Sequence, residues 1–173
     1  MTESRRRLVL GASAIAVAAI GIASFVSFTP ILIWNASASA PIGLYRIEKR
    51  VPNLGEFVLV EPDERLAEFV AVRGYLPPEI PLLKRISALP SDEICRESVR
   101  VFINKIAVAE ALLIDSFGRK MPEWSGCLTL KSDEVFLLNA SKRSLDGRYF
   151  GATKRADIIG IAVPIWVRTD AEN

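Results

Sequence analysis

Histidine is absent from the 173 residues of this chain, and cysteine occurs only twice. Without histidine, the Ser-His-Asp and Cys-His arrangements of hydrolases are excluded. The usual zinc sites lack ligands for the same reason. If the protein is a hydrolase, its general base is therefore a lysine, an aspartate or a glutamate, and the sequence indicates no metal and no cofactor.

A surplus of one charge sign is also missing. The 22 basic and 20 acidic residues are mixed along the chain and leave a net charge of +2. Proteins that bind nucleic acid usually carry a basic stripe on one face. The sequence therefore predicts no nucleic-acid partner.

Charged side chains are missing altogether between Arg7 and Arg46. Residues 8–29 are rich in Ala, Ile and Val, and a helix of that length is long enough to cross a hydrocarbon core of roughly 30 Å. The basic residues 5–7 precede this run, which predicts a cytoplasmic N-terminal flank over residues 1–7. With Trp34 as an interfacial aromatic residue, residues 8–34 are predicted to form a transmembrane anchor.

A cleaved secretory signal is the main alternative for residues 8–34, because a basic start, an apolar core and Ala-rich sites all occur there. The apolar run is longer than the about 7–15 residues of a typical signal core. A buried core helix fits less well, since no polar face interrupts the run. Either of the first two interpretations exports residues 35–173, which remain anchored in one case and become soluble in the other.

The two cysteines, Cys95 and Cys127, form an even pair in a chain predicted to face an oxidising compartment. A disulfide between them closes a loop of about 30 residues, which stabilises the fold by roughly 3–4 kcal/mol in the chain-entropy description. Two unpaired buried thiols are the alternative.

Short apolar runs with β-branched and aromatic residues recur between turn signals in the exported part, which is typical of strands. One helix is predicted from Leu66 to Arg73, ending before Gly74. Many strands and few helices predict a mainly β fold, an antiparallel β domain closed or folded into small barrels. The predicted strands are Phe57–Val60, Leu82–Leu89, Val99–Ile103, Glu134–Leu138 and Ile158–Val167.

Residues 35–45 follow the predicted anchor and contain two closely spaced serines, Ser37 and Ser39. By composition the segment is compatible with a flexible linker beside the membrane. It runs without charge into Ile42 and Tyr45, however, which is more typical of packed chain than of a linker. The local pattern leaves both interpretations open.

Lys84 lies in the predicted strand Leu82–Leu89. Because side chains alternate along a strand, Leu82, Lys84 and Ile86 share one face and Arg85 faces the other way. Desolvation among apolar neighbours lowers the pKa of a lysine, and bringing it from about 10.4 toward 7–8 costs on the order of 3–5 kcal/mol. A lysine that reaches solvent from an edge strand is the alternative.

Residues 144–151 read Ser-Leu-Asp-Gly-Arg-Tyr-Phe-Gly. Asp146-Gly147 is a turn signal. Taken alone, Asp146 and Arg148 are also compatible with an ordinary surface ion pair, which contributes little to stability.

In this order behind an N-terminal apolar segment, three motifs resemble the type I signal peptidase superfamily. They are Ser37-Ala38-Ser39 followed by Pro41, the pair Lys84-Arg85, and the box over residues 144–151. The resemblance covers most of the chain and implies a signal-peptidase-like antiparallel β domain. The box is the most specific of the three motifs, and the serine motif is weak when taken alone.

Two departures from general signal peptidases indicate a subfamily. Those enzymes usually have Met after the serine, where this chain has Ala40, and Gly-Asp-Asn-Arg before the box, where it has residues 138–141, Leu-Asn-Ala-Ser. The run from Ser39 to Tyr45 is instead similar to the TraF-type conjugal transfer peptidases. Arg73-Gly74-Tyr75 and the Trp-Ser-Gly-Cys run at 124–127 are similar to that group as well.

The resemblance implies a role for each matching residue. Ser39 is implied as the nucleophile and Lys84 as its general base. The hydroxyl of Ser37 and the backbone N–H of Ser39 are implied as the oxyanion hole, and Ser144 as the residue that orients Lys84. Asp146, Arg148 and Arg85 are implied as structural supports.

The implied activity is that of a serine endopeptidase that removes a leader or terminal peptide from the precursor of a conjugative pilus subunit, with head-to-tail cyclisation as a further outcome. The implied partners are that pilin precursor or another membrane-inserted preprotein, the membrane itself and other components of the conjugation and type IV secretion machinery. The implied location is the bacterial inner membrane, with the catalytic domain in the periplasm. A general type I signal peptidase and a non-catalytic, membrane-anchored assembly factor of a secretion system are the alternatives.

Overall fold

The structure is a computed structural model that describes residues 3–24, 31–77 and 79–168. The chain divides into two units, Met1–Pro30 and Ile31–Asn173. In the first, helix α1 runs over Glu3–Ser24. Among the described residues, no helix combines the length and the apolar character that crossing a membrane requires. The predicted segment 8–34 includes residues 25–30, which lie outside the described residues.

The second unit is mainly β, as predicted, and holds two antiparallel sheets. The first sheet has the strand order β1-β2-β11-β3-β4-β9-β10, and the second has the order β7-β6-β5-β8. The strands are β1 Leu32–Asn35, β2 Gly43–Glu48, β3 Phe57–Val60, β4 Leu82–Ala88, β5 Glu93–Glu97, β6 Arg100–Ile103, β7 Ile106–Glu110, β8 Gly126–Thr129, β9 Glu134–Leu137, β10 Thr153–Lys154 and β11 Ile158–Val167. Helices α2 (Glu64–Val72) and α3 (Gly147–Phe150) and a 3-10 turn (Arg155–Asp157) complete the unit.

The sheets are curled, but backbone pairing does not close them into the small barrels that were predicted. In the part of the chain that the structure describes, the seven-stranded sheet ends at β1 on one side and at β10 on the other. A closed barrel requires its first and last strands to pair. The first strand was also unexpected, because Leu32–Asn35 falls partly inside the segment predicted as an anchor and forms a ladder with β2.

Helix α2 starts two residues before the predicted position, because Asp63 caps it. The Asp63 carboxylate accepts a hydrogen bond from the Leu66 N–H at 2.8 Å, which satisfies a backbone donor that the first helical turn leaves free. At the other end, Gly74 has a φ of 66°. The N–H groups of Gly74 and Tyr75 bond back to the carbonyls of Ala71 and Val70, which is the Schellman ending that glycine favours.

Three apolar clusters form the core of the second unit. The first sheet contributes a cluster around Val58, Ile86 and Leu137. A second cluster lies between the sheets, where Ile94 of β5 and Phe136 of β9 both belong to it. A third cluster consists of Ala40, Tyr45, Leu83 and Ala162. It joins the segment after the serines to β4, because Ala40 lies in that segment and Leu83 precedes Lys84.

Cys95 and Cys127 form the predicted disulfide. They lie directly opposite each other on β5 and β8. The alternative of two unpaired thiols is therefore wrong.

Candidate active site

The two predicted serines lie on the loop that joins β1 to β2. The ladder between these strands ends at the pair Asn35 and Gly43, so residues 36–42 form the loop. Gly43 is needed at its base, because a Cβ atom there would collide with the backbone carbonyl of Trp166. The interpretation of residues 35–45 as a flexible linker is therefore wrong, since the segment ends in a β ladder on both sides.

Ser37 and Ser39 contact each other through their side chains. The two Oγ atoms are 2.9 Å apart, and the backbone N–H of Ser39 donates to Ser37 Oγ at 3.3 Å. The Ser37 side chain is exposed and Ser39 is half-buried. The two hydroxyls and the backbone N–H to which the resemblance assigns attack and oxyanion binding thus lie side by side on one loop.

Lys84 is buried on β4, with only 4% of its surface exposed. Arg85 faces the other way and is exposed, as the strand alternation predicts. Lys84 Nζ donates a hydrogen bond to Ser144 Oγ at 3.1 Å, and Ser144 is itself 1% exposed. The alternative of a lysine that reaches solvent from an edge strand is wrong, because β4 lies between β3 and β9.

Burial lowers the pKa of Lys84 to about 8. The nearby carboxylate of Asp146 raises this pKa and the guanidinium of Arg148 lowers it, so these two charges oppose each other. Desolvation is the largest cause, because a buried ammonium loses its hydration. A substantial part of the lysine is therefore neutral near pH 8 and able to accept a proton.

Asp146 and Arg148 form a buried, bidentate ion pair and not a surface pair. Arg148 Nε and one terminal nitrogen donate to the two carboxylate oxygens of Asp146 at 2.9 and 3.0 Å, and both side chains are at most 2% exposed. The Asp146 carboxylate also accepts the backbone N–H of Arg148 at the start of α3. The pair fixes the turn directly after Ser144.

Asn139, for which no role was predicted, connects this turn to the lysine strand. Its Nδ2 donates to the Leu83 carbonyl and its Oδ1 accepts the Arg85 N–H, both at 3.0 Å. Its own backbone N–H donates to Asp146. One amide side chain therefore holds β4 on both sides of Lys84. The one sequence signal for this role was the position of Asn139, a polar residue directly after the predicted apolar strand Glu134–Leu138.

Arg85, one of the expected supports, acts away from the serines. Its Nε donates to the Gly55 carbonyl at 2.8 Å. The contact secures the turn before β3, the neighbour of β4.

Two other motif residues also have contacts that explain them. The hydroxyl of Tyr75 donates to the Asp115 carboxylate at 2.5 Å, and Trp124 Nε1 donates to the Gly147 carbonyl at 3.1 Å. Tyr75 thereby ties the segment after α2 to the loop at 112–121, while Trp124 secures α3.

Ser37, Ser39 and Lys84 line one cleft of about 320 Å³. Among the hydrogen bonds between described residues, none joins Ser39 to Lys84, although both side chains line the cleft. Hydrogen bonds of catalytic groups often tighten only when substrate is bound. The remaining wall is largely apolar and includes Val70, Tyr75, Leu76, Leu82, Leu112, Ile114, Met121, Leu145 and Tyr149.

Metal ligands are not grouped in the part of the chain that the structure describes. No cluster of three or more acidic or cysteine side chains is arranged there to hold an ion. Besides the serines and Lys84, the charged side chains that line the cleft are Asp115 and Arg143.

Two known proteins with similar sequences are named as conjugal or plasmid transfer proteins. The chain is 34% identical over 175 residues to the probable conjugal transfer protein TraF of Sinorhizobium fredii (strain NBRC 101917 / NGR234), with 94% of this chain and 92% of that protein covered. It is 31% identical over 143 residues to a plasmid transfer protein TraF of Escherichia coli, with 76% and 80% covered.

A signal peptidase I from Enterococcus faecalis V583 is a solved structure with 20% sequence identity and a TM-score of 0.39, which covers 66% of this chain and 98% of its own. The family described as signal peptidase, peptidase S26, matches residues 5–167. This chain therefore belongs to the signal peptidase family, peptidase S26, as a TraF-type member, and is a serine-type peptidase.

Proposed function

We propose that this chain is a serine endopeptidase with a Ser39/Lys84 dyad that processes the precursor of a conjugative pilus subunit. The observation that carries the proposal is the burial of Lys84 in the wall of the cleft that Ser39 also lines. Burying a lysine costs free energy of folding. Groups perturbed in this way are concentrated at functional sites, where the neutral lysine acts as a base.

In the proposed reaction, neutral Lys84 Nζ takes the proton of Ser39 Oγ while that oxygen attacks the scissile carbonyl carbon. The peptide C–N bond then breaks, and the Lys84 ammonium returns the proton to the leaving amine. The Ser39 N–H and the Ser37 hydroxyl stabilise the oxyanion, each such donor contributing roughly 3–4 kcal/mol. Ser144 and Asn139 keep Lys84 in place through the contacts described above.

The substrate assignment is supported by the relatives, whose names link them to conjugal and plasmid transfer. A largely apolar cleft suits an extended peptide with small or apolar side chains. An acyl-enzyme formed on Ser39 has two fates. Water releases a linear product, and the N-terminal amine of the same pilin chain releases a ring.

The proposed location is the outer face of the bacterial inner membrane, with the apolar segment that precedes β1 as the N-terminal anchor or signal. The Cys95–Cys127 disulfide supports an oxidising compartment. Fusions of alkaline phosphatase after Asn173 test this orientation: high phosphatase activity is expected, and an inactive fusion argues for a cytoplasmic domain.

The dyad is tested with Ser39→Ala and Lys84→Ala in a pilin-processing assay. Both variants are expected to lose processing, while the matched controls Ser125→Ala and Lys49→Ala, at exposed positions, retain it. Normal processing by both Ser39→Ala and Lys84→Ala would refute the peptidase chemistry and favour an assembly factor.

Mass spectrometry of the processed pilin separates the two fates of the acyl-enzyme. A ring is one water lighter than the linear product of the same cleavages. Complementation of a strain depleted of its own signal peptidase addresses the general alternative, because rescue would favour a broad signal peptidase over a dedicated pilin peptidase.

A further inference from the structure

The side chain of Asn35 fills the loop that bears the two serines. Its Oδ1 accepts the Ser37 N–H at 3.1 Å. Its Nδ2 donates to three carbonyls, those of Ser37 at 2.9 Å, Ala40 at 3.1 Å and Pro41 at 3.0 Å. Two N–H groups thus serve three acceptors, and one carboxamide contacts both ends of the loop.

The backbone of this loop has few other partners. Within the described residues, no backbone–backbone hydrogen bond closes residues 36–41, and Pro41 has no N–H to donate. Backbone polar groups in folded chains need partners, from side chains where no ladder is available. Asn35 supplies four such contacts, so the loop takes its shape around this side chain.

Tyr45 of β2 also contacts this loop, from the core. Its hydroxyl donates to the Pro41 carbonyl at 2.6 Å, and its ring is fully buried beside Ala40. Burial raises the pKa of the Tyr45 hydroxyl, which therefore stays protonated and able to donate at neutral pH. Pro41 is thus held by two donors, Tyr45 and Asn35, and of these two only Asn35 also bonds to Ser37.

We infer that Asn35 is a positioning residue for the nucleophile. Its carboxamide holds loop 36–42 in the conformation that presents the hydroxyls of Ser37 and Ser39 to the cleft lined by Lys84. This inference rests on the proposed Ser39/Lys84 chemistry. Because a displacement of about 1 Å at a reacting group can lower a rate about 100-fold, loss of this carboxamide is expected to act on kcat.

The test compares Asn35→Ala and Asn35→Asp with the wild-type full chain, in detergent, on a pilin precursor. Asn35→Asp keeps an acceptor for the Ser37 N–H and removes every donor. Both variants are expected to lower kcat about 10- to 100-fold, with KM changed less than about twofold. If Asn35→Ala melts below the assay temperature, Asn35→Asp decides.

The matched control is Asn104→Ala. Asn104 also braces a turn, since it accepts the Glu93 N–H at 2.9 Å and donates to Asp92 at 2.7 Å, but it lies between β6 and β7 in the other sheet. It is expected to lower the melting temperature and leave kcat unchanged. A wild-type kcat in Asn35→Ala, or a loss no larger than in Asn104→Ala, overturns the inference.

A second readout needs no substrate. In a Ser39→Cys background, alkylation of the introduced thiol by iodoacetamide is followed against pH, while Cys95 and Cys127 stay protected in their disulfide. Adding Asn35→Ala is expected to slow this reaction about tenfold at pH 7, because the thiol moves away from the loop N–H groups and from Lys84. Identical pH profiles with and without Asn35→Ala overturn the inference. Failure of the wild-type chain to process pilin refutes only the proposed function, and the alkylation comparison then still decides the role of Asn35.

Discussion

The buried lysine leads to a prediction about stability as a function of pH. Lys84 has a pKa of about 8 in the folded chain, against the usual 10.5. Below pH 8 it is protonated both in the folded and in the unfolded chain, and folding then has to desolvate an ammonium. Between pH 8 and 10.5 the unfolded chain binds the proton and the folded chain does not, so stability rises with pH through this window.

The magnitude follows from the two pKa values. A tenfold difference in proton affinity corresponds to about 1.4 kcal/mol, so the protonated lysine destabilises the fold by about 3 kcal/mol at pH 7. About 2 kcal/mol of this penalty is relieved by pH 9.5, where the folded chain has lost the proton and the unfolded chain largely keeps it. Lys84→Met, which has no titrating group and a similar length, should lack this gain.

The assay is denaturant unfolding of the full chain in mild detergent, at pH 7 and pH 9.5, for the wild type and for Lys84→Met. The difference in unfolding free energy between the two proteins removes the contribution of every other titrating group. From pH 7 to pH 9.5, we expect the unfolding free energy of the wild type to rise by about 2 kcal/mol relative to that of Lys84→Met. If the difference in unfolding free energy is the same at both pH values, or if Lys84→Met gains stability relative to the wild type, Lys84 is not desolvated. The same pKa predicts that kcat/KM rises about tenfold per pH unit below pH 8 and levels off above it.

Three further changes have expected outcomes. Asp146→Asn leaves the buried guanidinium of Arg148 without its counter-charge and should lower the unfolding free energy by about 3–5 kcal/mol, whereas the exposed control Asp133→Asn should change it little. Asn139→Ala removes the contacts on both sides of Lys84 and should lower stability by about 1–3 kcal/mol; an unchanged denaturation midpoint would contradict this. Replacing both cysteines by serine opens a link across 32 positions and should lower the unfolding free energy by about 4 kcal/mol; a stability equal to that of the wild type would argue that the bond does not form.

The sequence predicted those parts of the fold whose signals are local. Short apolar runs with β-branched and aromatic residues marked β3 and β11 with their observed bounds, and Gly74 marked the end of α2. Strand alternation placed Lys84 on the face of Leu82 and Ile86, but the local pattern left a lysine that reaches solvent open, and the structure decides for burial. The mainly antiparallel character followed from many short strands with turns between them.

Other parts depend on contacts between distant residues and had no local signal. β1 is hidden in an apolar stretch and becomes visible as a strand only through its ladder with β2. β7 carries mostly exposed side chains, so it lacks the pattern of a half-buried strand. The contacts of Asn35 within its loop and of Asn139 with β4 depend on chain geometry, which residue types alone do not reveal.

The position of β1 sets a limit on proteolytic maturation of the chain itself. If the N-terminal segment is removed, the cut has to fall before Leu32, because a later one would detach the strand that pairs with β2. The Ala-rich positions 36, 38 and 40, attractive to a leader-cleaving enzyme, lie within the loop that carries Ser37 and Ser39. Cleavage there would separate the hydroxyls from Lys84 or leave them on a frayed end. The N-terminus of a mature, active chain should therefore lie at or before Leu32, and N-terminal sequencing of the purified protein reads this directly.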